Sequence, residues 1–327
     1  MKTSLKNRAQ IGQYWYNFTE LLAQSLTNQK IENDIEYIHK IKYGSSRSNV
    51  ANIMYRRDLE NVKKPLFIYI HGGGFISGKL DMRNQQVQNY AKLGFLAFSI
   101  DYTVSPQAIY PTPIQECFNA VDWLLDKQDI YNIDTENILI AGESAGGYFI
   151  TMFADLINNP EKMERIGVSF RHVKDVKIKG IISHCGAFDL NRMTDKTKKQ
   201  SKFPDIIMMC KAFVGKSGKE FYEWLQTENG KDSIPTISSS LPPMFIIWGA
   251  KDYLRYESFD LMEELKKNNV PYDQFEANKE VANHAWSIMT QFKTAYAGYL
   301  KSLDFILPYF DNYFVKENNT WKIKKII

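Results

Sequence analysis

Ile138-Leu139-Ile140-Ala141-Gly142-Glu143-Ser144-Ala145-Gly146-Gly147 holds a buried strand, a tight turn and the start of a helix within ten residues. The apolar run reads as a strand, small residues flank Ser144, and helical spacing begins at Ala145. A serine on such a turn adopts a strained backbone, its neighbours must be small to avoid collision, and its Oγ stands clear of the sheet. The N–H of Ala145 falls at a helix start, where unpaired amides and the helix dipole favour developing negative charge. A Gly-x-Ser-x-Gly turn alone is also an ordinary glycine-rich corner, so its meaning depends on what surrounds it.

Upstream, the apolar run Leu66–Ile70 ends abruptly in His71-Gly72-Gly73-Gly74-Phe75. Three successive glycines leave amides bare, next to the place where acyl transfer needs donors for a charged oxygen. Each such donor is worth roughly 10² to 10³ in rate. Gly73 to Lys79 also matches the first seven positions of a phosphate-binding loop. Leu80 occupies the eighth, where a Ser or Thr hydroxyl would hold Mg²⁺, so the phosphate reading is set aside.

A serine nucleophile needs a base, and the chain offers His39, His71, His172, His184 and His284. His39 lies inside an early strand, His71 in the glycine loop and His172 in a charged connector. His184 precedes the strand expected to deliver the acid. His284, in Val281-Ala282-Asn283-His284-Ala285-Trp286, falls after the last strand and is the base the chain order favours. Asp252 closes the run Met244-Phe245-Ile246-Ile247-Trp248-Gly249-Ala250-Lys251-Asp252, which opens with a strand at Met244–Trp248, and is the preferred orienting acid, with Asp189, after the preceding strand, as the alternative.

Working outward, strands at Ile35–Tyr43, Ala51–Arg57, Phe95–Tyr102, Val176–Ser183 and Tyr272–Ala277 alternate with helices at Asp81–Leu93, Pro113–Lys127, Ala145–Ile157, Tyr256–Asn268 and Trp286–Leu307. That is the pattern of a mostly parallel sheet with crossover helices, in a single domain over residues 1–327. Ile11, Tyr14, Trp15, Phe18, Leu22 and Leu26 recur at helical spacing and predict an amphipathic helix whose apolar stripe covers something apolar. The alternation lapses over 187–241, with helical pieces near Pro204–Phe213 and Lys219–Leu225. This insertion and residues 1–34 are the expected helical cap. Trp15, Phe18, Phe75, Phe213, Trp224 and Trp286 are candidate aromatic lining for a pocket, although aromatics so placed more often serve the core.

Composition sets bounds on partners. The 327 residues are 44% hydrophobic and 24% charged with net charge +4, the proportions of a folded globular chain. The positive charge is scattered except at Lys196, Lys198, Lys199 and Lys202 and at Lys322, Lys324 and Lys325, which argues against nucleic acid. No apolar run approaches a bilayer crossing. The start, Met1 to Arg8, is positively charged without a following apolar stretch, so no secretory signal is expected. Cys117, Cys185 and Cys210 have no paired spacing, so neither disulfides nor zinc is expected, and a reducing cytoplasm fits best.

Taken together, His71–Phe75, Asp101-Tyr102 with Pro106, Gly142–Gly147, and Asp252-Tyr253-Leu254-Arg255 with His284 downstream resemble the hormone-sensitive-lipase-like esterases. This family also includes arylacetamide deacetylases and many bacterial carboxylesterases. The resemblance implies an α/β-hydrolase fold and a serine carboxylesterase acting on small to medium acyl esters. It also implies oxyanion donors at Gly73, Gly74 and Ala145, and no metal or organic cofactor. A peptidase, an acyltransferase or a non-catalytic binding protein would share these residues, and dimerisation is left open. Three departures stand out: Glu143 where the family has Asp, Thr103-Val104-Ser105-Pro106-Gln107 for Arg-Leu-Ala-Pro-Glu, and Asn283-His284-Ala285-Trp286 for Pro-His-Gly-Phe.

Overall fold

The computed structural model describes residues 2–25, 30–278 and 282–324, so Met1, Leu26, Val281 and Lys325, named above, lie outside the described residues. The strands are β1 Ile35–Lys42, β2 Val50–Arg56, β3 Lys64–Ile70, β4 Leu96–Ile100, β5 Ile133–Glu143, β6 Ile178–His184, β7 Met244–Gly249 and β8 Tyr272–Ala277. They form one sheet in the order β1-β2-β4-β3-β5-β6-β7-β8. β2 runs antiparallel to β1 and β4, and all pairings from β4 to β8 are parallel. The principal helices are α1 Thr3–Ser25, α2 Asn84–Leu93, α3 Thr112–Leu125, α4 Ala145–Asn158, α5 Ile206–Val214, α6 Gly218–Leu225, α7 Arg255–Lys267 and α8 Lys293–Ile306.

Successive residues of a strand point to opposite faces, and here both faces are covered, so the central strands read as unbroken apolar runs. Ile68, Ile140 and Ile246 pack with Phe118 of α3, Ile150 of α4 and Leu261 of α7. Their neighbours Phe67, Leu139 and Phe245 pack on the other side with Val87 and Tyr90 of α2 and Leu303 of α8. Each such side chain contributes about 1.5–3 kcal/mol on burial. The result is a three-layer frame whose crossover loops gather at the carboxyl ends of the parallel strands.

Two sequence expectations need correction. First, α1 forms, but its bulky stripe does not cover the core: Ile11, Tyr14, Trp15, Phe18 and Leu22 are exposed, while Leu5 and Ala9 are buried. The inward face is the small one because the helix lies close to its neighbours. A Cβ on Gly12 would sit 3.1 Å from Ile76 Cδ1 and from Met208 Cε. Second, the helix expected over Trp286–Leu307 starts at Lys293, after a single turn at Trp286–Ile288. Ser287 Oγ is held by His184 Nδ1 at 3.1 Å and Thr290 Oγ1 by Asn89 at 3.0 Å, which pin this stretch before the helix begins.

The tail after α8 folds on its own chain. β9 Phe314–Glu317 and β10 Thr320–Ile323 form a hairpin around Asn318 and Asn319, both at positive φ, as a tight two-residue turn requires. Phe314 stacks on Phe95, with ring centroids 5.0 Å apart.

Candidate active site

The sharp corner between β5 and α4 forces Ser144 to φ 55°, ψ −119°, a conformation that costs an L-residue roughly 1–3 kcal/mol. The corner persists because the packing around it is over-determined. A Cβ on Gly146 would come within 2.2 Å of the Ile70 carbonyl oxygen, so only glycine lets α4 start this close to β3. The Ser144 N–H donates to the His184 carbonyl at 2.9 Å, and the Ser144 carbonyl accepts from Gly147 and Ala187.

Ser144 Oγ lies 2.8 Å from His284 Nε2, and His284 Nδ1 lies 2.7 Å from Asp252 Oδ2. Asp252 is fixed in turn: its Oδ1 accepts the Leu254 N–H at 2.8 Å, and the side chain is buried. The imidazole sits on a loop that turns through Ala285 at φ 59°, and the Ala285 N–H donates to Cys185 Sγ at 3.2 Å. Burial opposes a charge on His284, but the Cys185 sulfur and the Asp252 carboxylate more than offset it and hold the imidazole's pKa well above its ordinary value. The runner-up acid, Asp189, instead caps a short helix by accepting from the Asn191 and Arg192 N–H groups. Among the other histidines, His39 pairs with Asp81 and His172 bridges Asp126 and Asp175.

The glycine loop is locked from below. His71 Nδ1 faces the Gly72 carbonyl at 2.7 Å and Nε2 faces Asp101 Oδ1 at 3.2 Å. Two acceptors on two ring nitrogens call for an imidazolium. Burial works against that charge, yet Asp101 and the carbonyl raise the pKa of His71 overall. Tyr102 stacks on the ring at 4.5 Å and donates its hydroxyl to the His71 carbonyl. Glu143 is equally enclosed, accepting from Tyr69 Oη at 2.6 Å, from Arg83 Nε and from the Gly72 N–H. Burial raises its pKa, but Arg83, Tyr69 and Gly72 reverse the balance and keep it anionic. The departure from Asp therefore keeps a tether to the glycine loop.

Gly73 (φ 124°) and Gly74 (φ 60°) turn the loop so that its amides border the same cavity as Ser144 and Ala145. Among the described residues no hydrogen bond uses the N–H of Gly73, Gly74 or Ala145. The cavity measures about 260 Å³. Opposite this floor it is bounded by Tyr16 and Thr19 of α1 and by Phe203, Ile206 and Met209 of the insertion. Of the aromatic residues expected as lining, only Phe75 borders it. Phe213 is buried behind Phe75 at 4.4 Å, Trp224 packs on Tyr110, Trp286 is buried, and Trp15 and Phe18 face outward. Among the described residues the one cluster able to ligate a metal is Cys185, Asp252 and His284, with donor atoms within 4.8 Å of one another. Its Nδ1 is the atom that already holds Asp252, so a metal there would replace that hydrogen bond.

Four contributors escaped the sequence reading. Cys185 could have been found from its place directly after β6, at the carboxyl edge of the sheet. Tyr16 and Thr19 lie on the inward face of α1, which the more prominent apolar stripe on the other side masks. Arg83 meets Glu143 across 60 residues with no motif to announce it.

A family model described as BD-FAE matches residues 53–264, more than half of the chain. A putative alpha/beta hydrolase, R526, of Acanthamoeba polyphaga mimivirus is 26% identical over 233 residues, covering 68% of this chain and 62% of the viral protein. The probable carboxylic ester hydrolase LipM of Mycobacterium tuberculosis is 25% identical over 275 residues, covering 82% of this chain and 60% of that protein. The match thus spans about three fifths of the length of these relatives. Esterase B from Lactobacillus rhamnosis, solved with an inhibitor, superposes with a TM-score of 0.79 at 18% identity, covering 94% of this chain and 97% of the other. At that identity the likeness establishes a shared fold.

Proposed function

Because the chain belongs to the BD-FAE family and to the hormone-sensitive-lipase-like α/β-hydrolases, we propose that it is a serine carboxylesterase acting on small to medium acyl esters. The observation that carries this reading is the hydrogen-bonded line from Ser144 Oγ through His284 to Asp252, at 2.8 and 2.7 Å. In this mechanism His284 Nε2 takes the Ser144 hydroxyl proton as Oγ attacks the ester carbonyl, while Asp252 accepts from Nδ1–H and stabilises the imidazolium that forms. The unpaired amides of Gly73, Gly74 and Ala145 receive the oxyanion. His284 then protonates the departing alcohol, and water, deprotonated by the same imidazole, hydrolyses the acyl-enzyme. The cavity, near the small end of ligand sites, supports short acyl groups.

Residues 1–34 and 187–241 act as the cap in this reading, a role supported by the shared lining from α1 and the insertion. Among the described residues no helix is long and apolar enough to cross a membrane. The three free, buried cysteines support a reducing, cytoplasmic setting. Turnover of a chromogenic short-chain ester tests the proposal. Ser144→Ala is expected to lower kcat by about 10⁴-fold or more in a protein that still folds, and a folded variant with wild-type turnover would refute it.

A further inference from the structure

The helix α1 has two apolar faces, and the cavity uses only one. Leu5, Ala9, Gly12 and Tyr16, spaced by four, three and four residues, turn inward. On the opposite face Ile11 is 71% exposed, Tyr14 79%, Trp15 61%, Phe18 48% and Leu21 53%. Their spacing places them on one side of the helix, and the Trp15 and Phe18 rings lie 6.2 Å apart. Single exposed apolar residues are normal on a surface, but a contiguous stripe of this size marks an interaction site.

The charge around the stripe identifies the partner. Lys6 and Arg8 flank its amino-terminal end. Arg8 shares a groove with Ser201 and Lys211 of the insertion, whose residues 195–211 hold Lys196, Lys198, Lys199, Lys202 and Lys211 against the carboxylates Asp195 and Asp205, with Lys199 over the Tyr256 ring and Lys211 over the Tyr222 ring. Among the described residues Lys6, Arg8, Lys196 and Lys202 form no ion pair, while Lys198 lies close enough to Asp195 to help lower its pKa. Aromatic and aliphatic anchors edged by unpaired lysine and arginine suit a helix lying in the plane of an anionic membrane surface. A second copy fits less well, because a twofold contact would set this basic surface against itself.

We propose that the outer face of α1 is a peripheral docking surface for an anionic lipid bilayer. The apolar stripe enters the headgroup boundary, and Lys6 and Arg8 at its amino-terminal end meet lipid phosphates. Tyr16 and Thr19 of the same helix line the cavity from its inner face, so the helix that docks also borders the site. Binding of this kind does not depend on hydrolysis and is measured without it.

Co-sedimentation with vesicles tests the proposal. The wild-type chain is expected to pellet with equal-part phosphatidylglycerol and phosphatidylcholine vesicles, and several-fold less with phosphatidylcholine alone. Trp15→Ser with Phe18→Ser is expected to weaken that binding by about tenfold or more, with an unchanged thermal transition. Lys6→Glu with Arg8→Glu, a pair exposed on the surface, is expected to abolish the preference for the anionic vesicles. The proposal is overturned if the wild type stays in the supernatant, if it binds both vesicles equally, or if the Trp15/Phe18 variant binds as well as the wild type. It is also overturned if the wild type is a dimer in solution that the same substitutions dissociate, since a second copy would then cover the stripe.

Discussion

The cavity has a floor and a roof built on different principles. The floor, the loop at 71–78 and the corner at 142–147, is held by backbone. Gly73 carries φ 124°, and a Cβ there would sit 2.1 Å from the Ser77 carbonyl oxygen. The roof, α1 with Phe203, Ile206 and Met209, meets the cavity through flexible side chains, and Met209 Sδ rests where a Cβ on Gly74 would lie, 2.4 Å away. Substituting a backbone-dictated position perturbs the whole frame, whereas a thioether can be trimmed locally. Under the proposed function, the difference gives the chemistry to the floor and acyl selection to the roof.

The assignment of chemistry to the floor is exposed most severely by Asp252→Asn. Losing the carboxylate leaves the wrong imidazole tautomer and is expected to lower kcat by about 10⁴-fold. The pH profile sharpens the same point. His284 must be neutral to accept a proton, so activity falls as pH drops through its pKa, which Asp252 helps to raise. The acid limb of kcat/KM in Asp252→Asn is therefore expected at lower pH than in the wild type, and a limb that does not move would separate Asp252 from the base.

Trimming the roof should have a smaller and different effect. Met209→Ala enlarges the acyl space, and the ratio of kcat/KM for a longer over a shorter acyl ester is expected to rise by about three- to tenfold. The rate on the shortest ester should stay near wild type. An equal loss on every ester would mean that Met209 supports the floor.

The smallest effect lies beneath the floor. His184 is buried, with Nδ1 3.1 Å from Ser287 Oγ in the loop that carries His284. Burial pushes its pKa down to about 4, against 6.5 ordinarily, with Glu143 pulling weakly the other way. A depressed pKa means the unfolded chain binds the proton first. Stability is therefore complete above the ordinary value and is lost as pH falls towards about 4, by about 3 kcal/mol at most. Denaturant melts across this range should show a shallower pH dependence for His184→Asn, and an unchanged slope would remove His184 as the source.

The same division explains what could be read from the chain. The floor was legible because few residues satisfy its backbone: Gly146 under the Ile70 carbonyl, three glycines after His71, and an acid and base in fixed order after Ser144. The sheet was legible because burial on both faces leaves unbroken apolar runs such as Leu66–Ile70. The orientation of α1 was not, since the helix offers a bulky stripe and a small one, and close approach to Ile76 and Met208 selects the small one. The pairing of Arg83 with Glu143 depends on the tertiary fold. The terminal hairpin did leave a local signal, the Asn318-Asn319 pair.

Mass-spectrometric mapping of the adduct formed with a fluorophosphonate addresses the central claim most directly. A single label on Ser144 is expected, with labelling nearly abolished in a folded His284→Ala variant. No adduct on the folded wild-type chain, an adduct on another residue, or undiminished labelling without His284 would contradict the reading of this corner as an activated nucleophile.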